Sequence, residues 1–210
     1  MEARVIRIIA RSAAAAVIVL ASAAQATITI NTANLSGPNE SPPNTSPGTG
    51  TATVTIDDVL NTMRVQVTFS GLTSGTTASH IHAATAAPFT GTAGVATAVP
   101  TFPLFPLGVS SGTYDSLFDL LTASTYNPAL ITANGGTPTS ARNALLGAMT
   151  SGEAYLNIHT TRFPSGEIRG FLVAVPEPAS WAMMLMGLGA IGLAGRRGRR
   201  LFPRLKPLDA

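Results

Sequence analysis

Hydrophobic and polar positions alternate over most of the chain between residues 27 and 175. Met63, Val65, Val67 and Phe69 alternate with Arg64, Gln66, Thr68 and Ser70, the period of a half-buried strand. Ala52, Val54 and Ile56 give Thr51–Ile56 the same period, and Asp57 to Asn61 supply a hairpin connection between the two. Further strands are expected at Thr27–Asn31, Ala78–Ala83, Gly94–Val99, Tyr155–Thr160 and Glu167–Val173, separated by Gly- and Pro-rich turns. Two stretches change period. Leu117, Phe118, Leu120 and Leu121 give Tyr114–Ala123 helical spacing, and Ala141, Leu145, Leu146 and Met149 do so for Ser140–Thr150. The pattern predicts an all-β sandwich or barrel over 27–175, with a helical insertion at about 100–153 packed on it as a cover.

The two ends follow other rules. Residues 1–26 have a basic start, a short apolar run and the small-x-small site Ala24-Gln25-Ala26, the three parts of a cleavable signal peptide. At the other end, Pro176-Glu177-Pro178 precedes an apolar stretch to Gly195 and the cluster Arg196, Arg197, Arg199 and Arg200. Ala179 to Gly195 is just long enough for a transmembrane helix with its arginines on the cytoplasmic side. The order Pro-Glu-Pro, apolar helix, arginines resembles the PEP-CTERM sorting signal, here over 176–200 with a basic tail at 201–210. That resemblance implies exosortase as a partner, an inner-membrane-anchored precursor, and delivery to the cell surface or an extracellular polysaccharide matrix.

Charge supports this division. The whole chain is +3 with a pI near 10.0. Between residues 27 and 175, however, four arginines face seven acids and there is no lysine, leaving −3. A nucleic-acid surface is excluded on that balance. The chain has no cysteine, which suits an oxidising compartment, and a domain of this length builds its core without disulfides.

Candidate chemistry is concentrated in three histidines. His80-Ile81-His82 puts two imidazoles on one strand face, about 7 Å apart along the backbone. Asn157 and His159 point away from Leu156 and Ile158, so all three histidines leave the core on its outer side, where the 100–153 insertion is expected to cover them. Three neutral imidazoles suit copper or zinc, with water or a carboxylate completing the shell. Glu167 and Arg169 share a strand face and are expected to act as a structural ion pair or edge contact. No catalytic residue is nominated: there is no Gly-x-Ser-x-Gly elbow and no acid–base–nucleophile set.

Four motifs together resemble the CHRD domain. They are Leu35-Ser36-Gly37 with Glu40-Ser41-Pro42-Pro43, Ser79-His80-Ile81-His82, Ser151 through Thr160, and Pro164-Ser165-Gly166-Glu167-Ile168-Arg169-Gly170. The resemblance spans about 33–173 and implies an immunoglobulin-like β-barrel related to Cu/Zn superoxide dismutase, without an established activity. On that likeness His80-Ile81-His82 is similar to the copper-ligand strand of the dismutase, with His159 as a later ligand. The bridging histidine, the other zinc ligands and the disulfide have no counterpart. Phe171 departs from the pattern with an apolar residue after Arg-Gly. The sequence thus supports two readings: an exported, non-enzymatic binding or structural module for polysaccharide or surface proteins, and a surface copper- or zinc-binding protein using His80, His82 and His159.

Overall fold

A computed structural model describes residues 27–176 and 185–189. The signal peptide with Ala24 and Ala26, and Glu177, Pro178 and the arginine cluster, lie outside the described residues. Leu185–Gly189 is helical and exposed. No helix among the described residues is long and apolar enough to cross a membrane.

The fold is mostly β, as expected: one antiparallel sheet curled into a half-barrel. Its strands are β1 (Ile28–Ser36), β2 (Thr49–Asp57), β3 (Thr62–Ser70), β4 (Thr76–His82), β5 (Gly112–Asp119), β6 (Tyr155–Thr160), β7 (Ile168–Phe171) and β8 (Val173–Val175). Two helices, α1 (Pro128–Ala133) and α2 (Pro138–Thr150), sit between β5 and β6. The strand order is β4-β6-β7-β1-β2-β3-β5, with β8 also paired to β1.

The β2–β3 hairpin follows the sequence pattern closely. Nine residue pairs run from Thr49↔Ser70 to Asp57↔Thr62. Ala52, Val54, Ile56, Met63, Val65, Val67 and Phe69 all point into the core. The connection is closed by Asp57, whose Oδ1 accepts from the backbone N–H of Val59 and Leu60, while Asn61 takes φ 53°.

Three expectations are corrected. Tyr114–Ala123 is not a helix; most of it is β5, paired with β3 over eight residues. Tyr114, Phe118 and Leu120 are buried at period 2, while Leu117 and Leu121 face outward and mimic a helical stripe in the sequence. The open edge of β3 takes this segment as its mate, and that long-range pairing overrides the local spacing. Gly94–Val99 forms isolated bridges, His82↔Val95 and Thr97↔Tyr126, within a long loop. Glu167–Val173 is divided between β7 and β8, with buried Leu172 between them.

α2 is a helix as expected. Thr137 and Ser140 form a reciprocal capping box and Pro138 occupies the first turn. Ala141, Leu145, Ala148 and Met149 bury its inner face. α1 was not foreseen; Asn127 caps it by accepting from Ala129 N–H. The core cluster runs from Ala33 to Leu172, so 27–176 carries a complete hydrophobic core of its own.

Candidate functional site

The outer face of β4, β6 and β7 carries the chemistry. Cross-strand pairs put His82 opposite Tyr155, His80 opposite Asn157, Ala78 opposite His159, and Asn157 opposite Arg169. Ile81, Leu156, Ile158 and Ile168 fill the core side of the same strands. The period-2 reading therefore holds: the histidines point away from the core. They are nevertheless covered, His80 being 6% and His82 8% exposed.

The cover is only in part the expected one, since Pro100 opens the 100–153 segment. Helix α2 packs into the core, and the loop after β4 crosses the histidines instead. His80 Nε2 donates to Pro100 O at 2.7 Å, and His82 Nδ1 to Ala93 O at 2.9 Å. His159 Nδ1 donates to Pro164 O at 2.9 Å, in the β6–β7 loop. A carbonyl only accepts, so each contact fixes one proton and one tautomer. The remaining nitrogens, His80 Nδ1, His82 Nε2 and His159 Nε2, carry lone pairs.

These lone pairs converge. One ring nitrogen of each histidine lies within 4.8 Å of those of the other two. His80 Nδ1 and His159 Nε2 are 3.4 Å apart, and with both protons committed to carbonyls they cannot hydrogen-bond to each other. His82 Nε2 is buried without any partner. Burial pushes all three imidazoles below the usual histidine range, His82 to about 4, so they are neutral at pH 7. Two nitrogens on one tetrahedral ion stand about 3.3–3.5 Å apart, which the His80–His159 pair already satisfies. Backbone carbonyls orienting the far ring nitrogens are the usual outer shell of a histidine metal site. No Asp or Glu joins this cluster among the described residues.

The polar face continues beyond the histidines. Tyr155 stacks on His82 at 4.8 Å with an interplanar angle of 3°. The Arg169 guanidinium lies 4.7 Å from the Tyr155 ring centre. Arg169 does not pair with Glu167, contrary to the strand-face expectation. Its Nε stands 3.8 Å from Glu40 Oε2, and both side chains are nearly fully buried. Nε also donates to Asn39 O, and Nη1 to Gly91 O. Burial pushes the Glu40 carboxyl up to about 7 although Arg169 opposes it. Glu40 Oε1 and Asn157 Oδ1 are buried without partners.

Glu167 turns to the other side. It accepts from Ser46 Oγ, Thr160 Oγ and Thr73 N–H, tying three segments together. Burial raises its pKa, but these donors outweigh burial and hold it below the ordinary value. Gly166 separates the two environments. It takes φ 132°, and a Cβ there would meet Asn157 and Glu40 at 2.5–2.7 Å.

Glu40 and the ion pair across the sheet were missed from sequence because Glu40 lies 129 residues from Arg169. The available signal was that both stand inside motifs, Glu40-Ser41-Pro42-Pro43 and Gly166-Glu167-Ile168-Arg169-Gly170. The structure brings residues of all four motifs onto this one face.

Comparison with protein-family models matches residues 31–172 to the CHRD domain. Residues 174–200 match the PEP-CTERM protein-sorting motif, a span that includes Pro176, Glu177, Pro178 and Arg196 to Arg200. No curated protein and no solved structure matches the chain. The sorting motif marks an exported protein recognised and processed by exosortase at the membrane, ending on the cell surface or outside the cell. The family match covers more than half of the chain, including every residue of the histidine face: the chain belongs to the CHRD-domain family.

Proposed function

We propose that this exported CHRD protein binds one copper or zinc ion through His80 Nδ1, His82 Nε2 and His159 Nε2. One observation carries the reading: three imidazole lone pairs face a common space, each with its opposite nitrogen donating to a backbone carbonyl. An unoccupied cluster of this kind leaves a buried acceptor without a donor, a cost that an ion removes. A fourth position falls to water or an outside ligand. Imidazole-only coordination favours copper or zinc over magnesium or calcium, which take oxygen ligands. The site is read as a binding centre, with no residue assigned to catalysis.

Calorimetric titration of the 27–176 fragment with Cu(II) and with Zn(II), beside a His80→Ala/His82→Ala/His159→Ala variant, tests this. The expected result is one tight site in the native fragment and none in the variant. Equal, weak binding by both contradicts the reading.

A second reading concerns destination. Removal of residues 1–26 after Ala26 and cleavage near Pro178 would leave an acidic domain attached to the surface or matrix, where it binds polysaccharide or a surface protein. The observation favouring it is an aromatic-walled cleft beside the histidines. Unchanged release of the protein from an exosortase-deficient strain would count against this second reading.

A further inference from the structure

The cleft lies where the first loop, the loop after β4 and strand β7 meet. Its volume is about 490 Å³, and Asn34, Glu40, Phe89, Gly91, Arg169 and Phe171 are among its lining residues. No histidine lines it. Glu40 and Arg169 contribute side chains that are only 6% and 5% exposed. Arg169 makes bonds through Nε and Nη1 while Nη2 makes none among the described residues; Glu40 Oε1, also without a partner, is closed off from the cleft beside Gly166 and Asn157.

The wall is apolar and held in place. Phe89 is 57% exposed, with the partly exposed Phe171 beside it. Its backbone takes φ 58°, a conformation that bulky residues rarely adopt. Phe89 N–H donates to Gly152 O at 2.8 Å, and the ring lies against Gly152, where any Cβ would collide with it. Phe171 meets Phe89 edge-on at 6.0 Å.

We infer that this cleft binds an uncharged saccharide, with a sugar ring against Phe89 and Phe171 and neighbouring hydroxyls at Arg169 and Asn34. The complementarity is chemical. An anion is repelled by the nearby Glu40 carboxyl, a cation by the guanidinium, and an apolar ligand leaves Arg169 Nη2 without a partner. One hydroxyl accepts from Arg169 Nη2 and another bonds to the Asn34 amide, while the C–H face of the ring covers the aromatic wall. The exposed Asn34 amide extends the polar rim. This inference rests on the binding reading for its setting and gives that reading a ligand class and a location.

The test is nuclear magnetic resonance titration of the ¹⁵N-labelled 27–176 fragment with cellotetraose, maltotetraose and a tetramannuronate. At least one neutral oligomer is expected to give saturable shifts at the amides of Thr90, Gly91 and Phe171, with the tetramannuronate weaker. Phe89→Ala removes an exposed ring, so the remaining spectrum should be kept while affinity falls about two- to tenfold. Phe89→Trp should retain binding. Absence of shifts with both neutral oligomers, binding of tetramannuronate alone, or equal affinity in Phe89→Ala overturns the inference. If the protein still fractionates with the matrix in cells while these titrations fail, the cleft assignment falls and the matrix reading stands.

Discussion

The two wings of the sheet obey the same alternation and put it to different use. On β2, β3 and β5 the outward residues, among them Thr51, Arg64, Thr68 and Asp115, are exposed to water. On β4, β6 and β7 the outward residues His80, His82, Tyr155, Asn157 and Arg169 are buried beneath loops. Each wing also carries an ion pair. Arg64 and Asp115 make a close contact of 2.6 Å, with side chains 53% and 47% exposed. Arg169 and Glu40 stand 3.8 Å apart and are almost entirely buried. The shorter pair is solvated and contributes little to stability. The longer pair carries the desolvation of two charges, visible in the raised Glu40 pKa. Covering the outer face of a sheet with polar residues is costly, and on this wing the cost falls on the residues of the proposed site.

Breaking the buried pair should give the largest effect. Arg169→Met leaves Glu40 uncompensated and frees Asn39 and Gly91 from their donor, so urea unfolding should show a loss of about 3–5 kcal/mol. The metal site offers the next largest change. Zn(II) at a hundredfold excess over its dissociation constant should stabilise the native domain by about 2.7 kcal/mol, read as a rise in Tm that a chelator reverses. The triple histidine variant should show no such rise.

Acid and base should act oppositely on the two kinds of buried group. The histidines have folded pKa values below their unfolded value of 6.5, so their contribution is complete above 6.5 and is lost as pH falls, for His82 through about 4. Glu40 has a folded pKa of about 7 against 4.5, so its contribution is complete below 4.5 and is lost as pH rises through 7. Glu40→Gln should therefore remove a decline in stability between pH 4.5 and 7, measured by denaturation at several pH values. Arg64→Ala, on the exposed wing, should leave the unfolding midpoint unchanged; a clear loss there would erase the contrast between the wings.

Much of the exposed wing was legible because β2 and β3 are neighbours in sequence and each has one wet face. Asp57 and Asn61 marked the turn between them. The outward direction of the histidines was legible for the same reason, since Ile81, Leu156 and Ile158 had only one core to enter. Which segment covers them was not legible, because the loop carrying Ala93 and Pro100 has no period of its own. Its segment Gly94–Val99 looks like a strand, yet it makes only isolated bridges. β5 was misread because Leu117 and Leu121, exposed in the fold, completed a helical stripe. The Glu40–Arg169 pair required the chain to close over 129 residues, and sequence spacing holds no information on that contact. Glu167, nearer in sequence to Arg169, was the natural partner until Ser46, Thr73 and Thr160 were seen around it.

The central claim is that three neutral imidazoles on the covered wing form one metal centre. Electron paramagnetic resonance of the 27–176 fragment with one equivalent of Cu(II) tests it most directly. The account predicts a single species whose hyperfine structure shows coordination by three imidazole nitrogens, absent from the His80→Ala/His82→Ala/His159→Ala variant. An identical spectrum from the two proteins, or one matching Cu(II) in buffer, would contradict it.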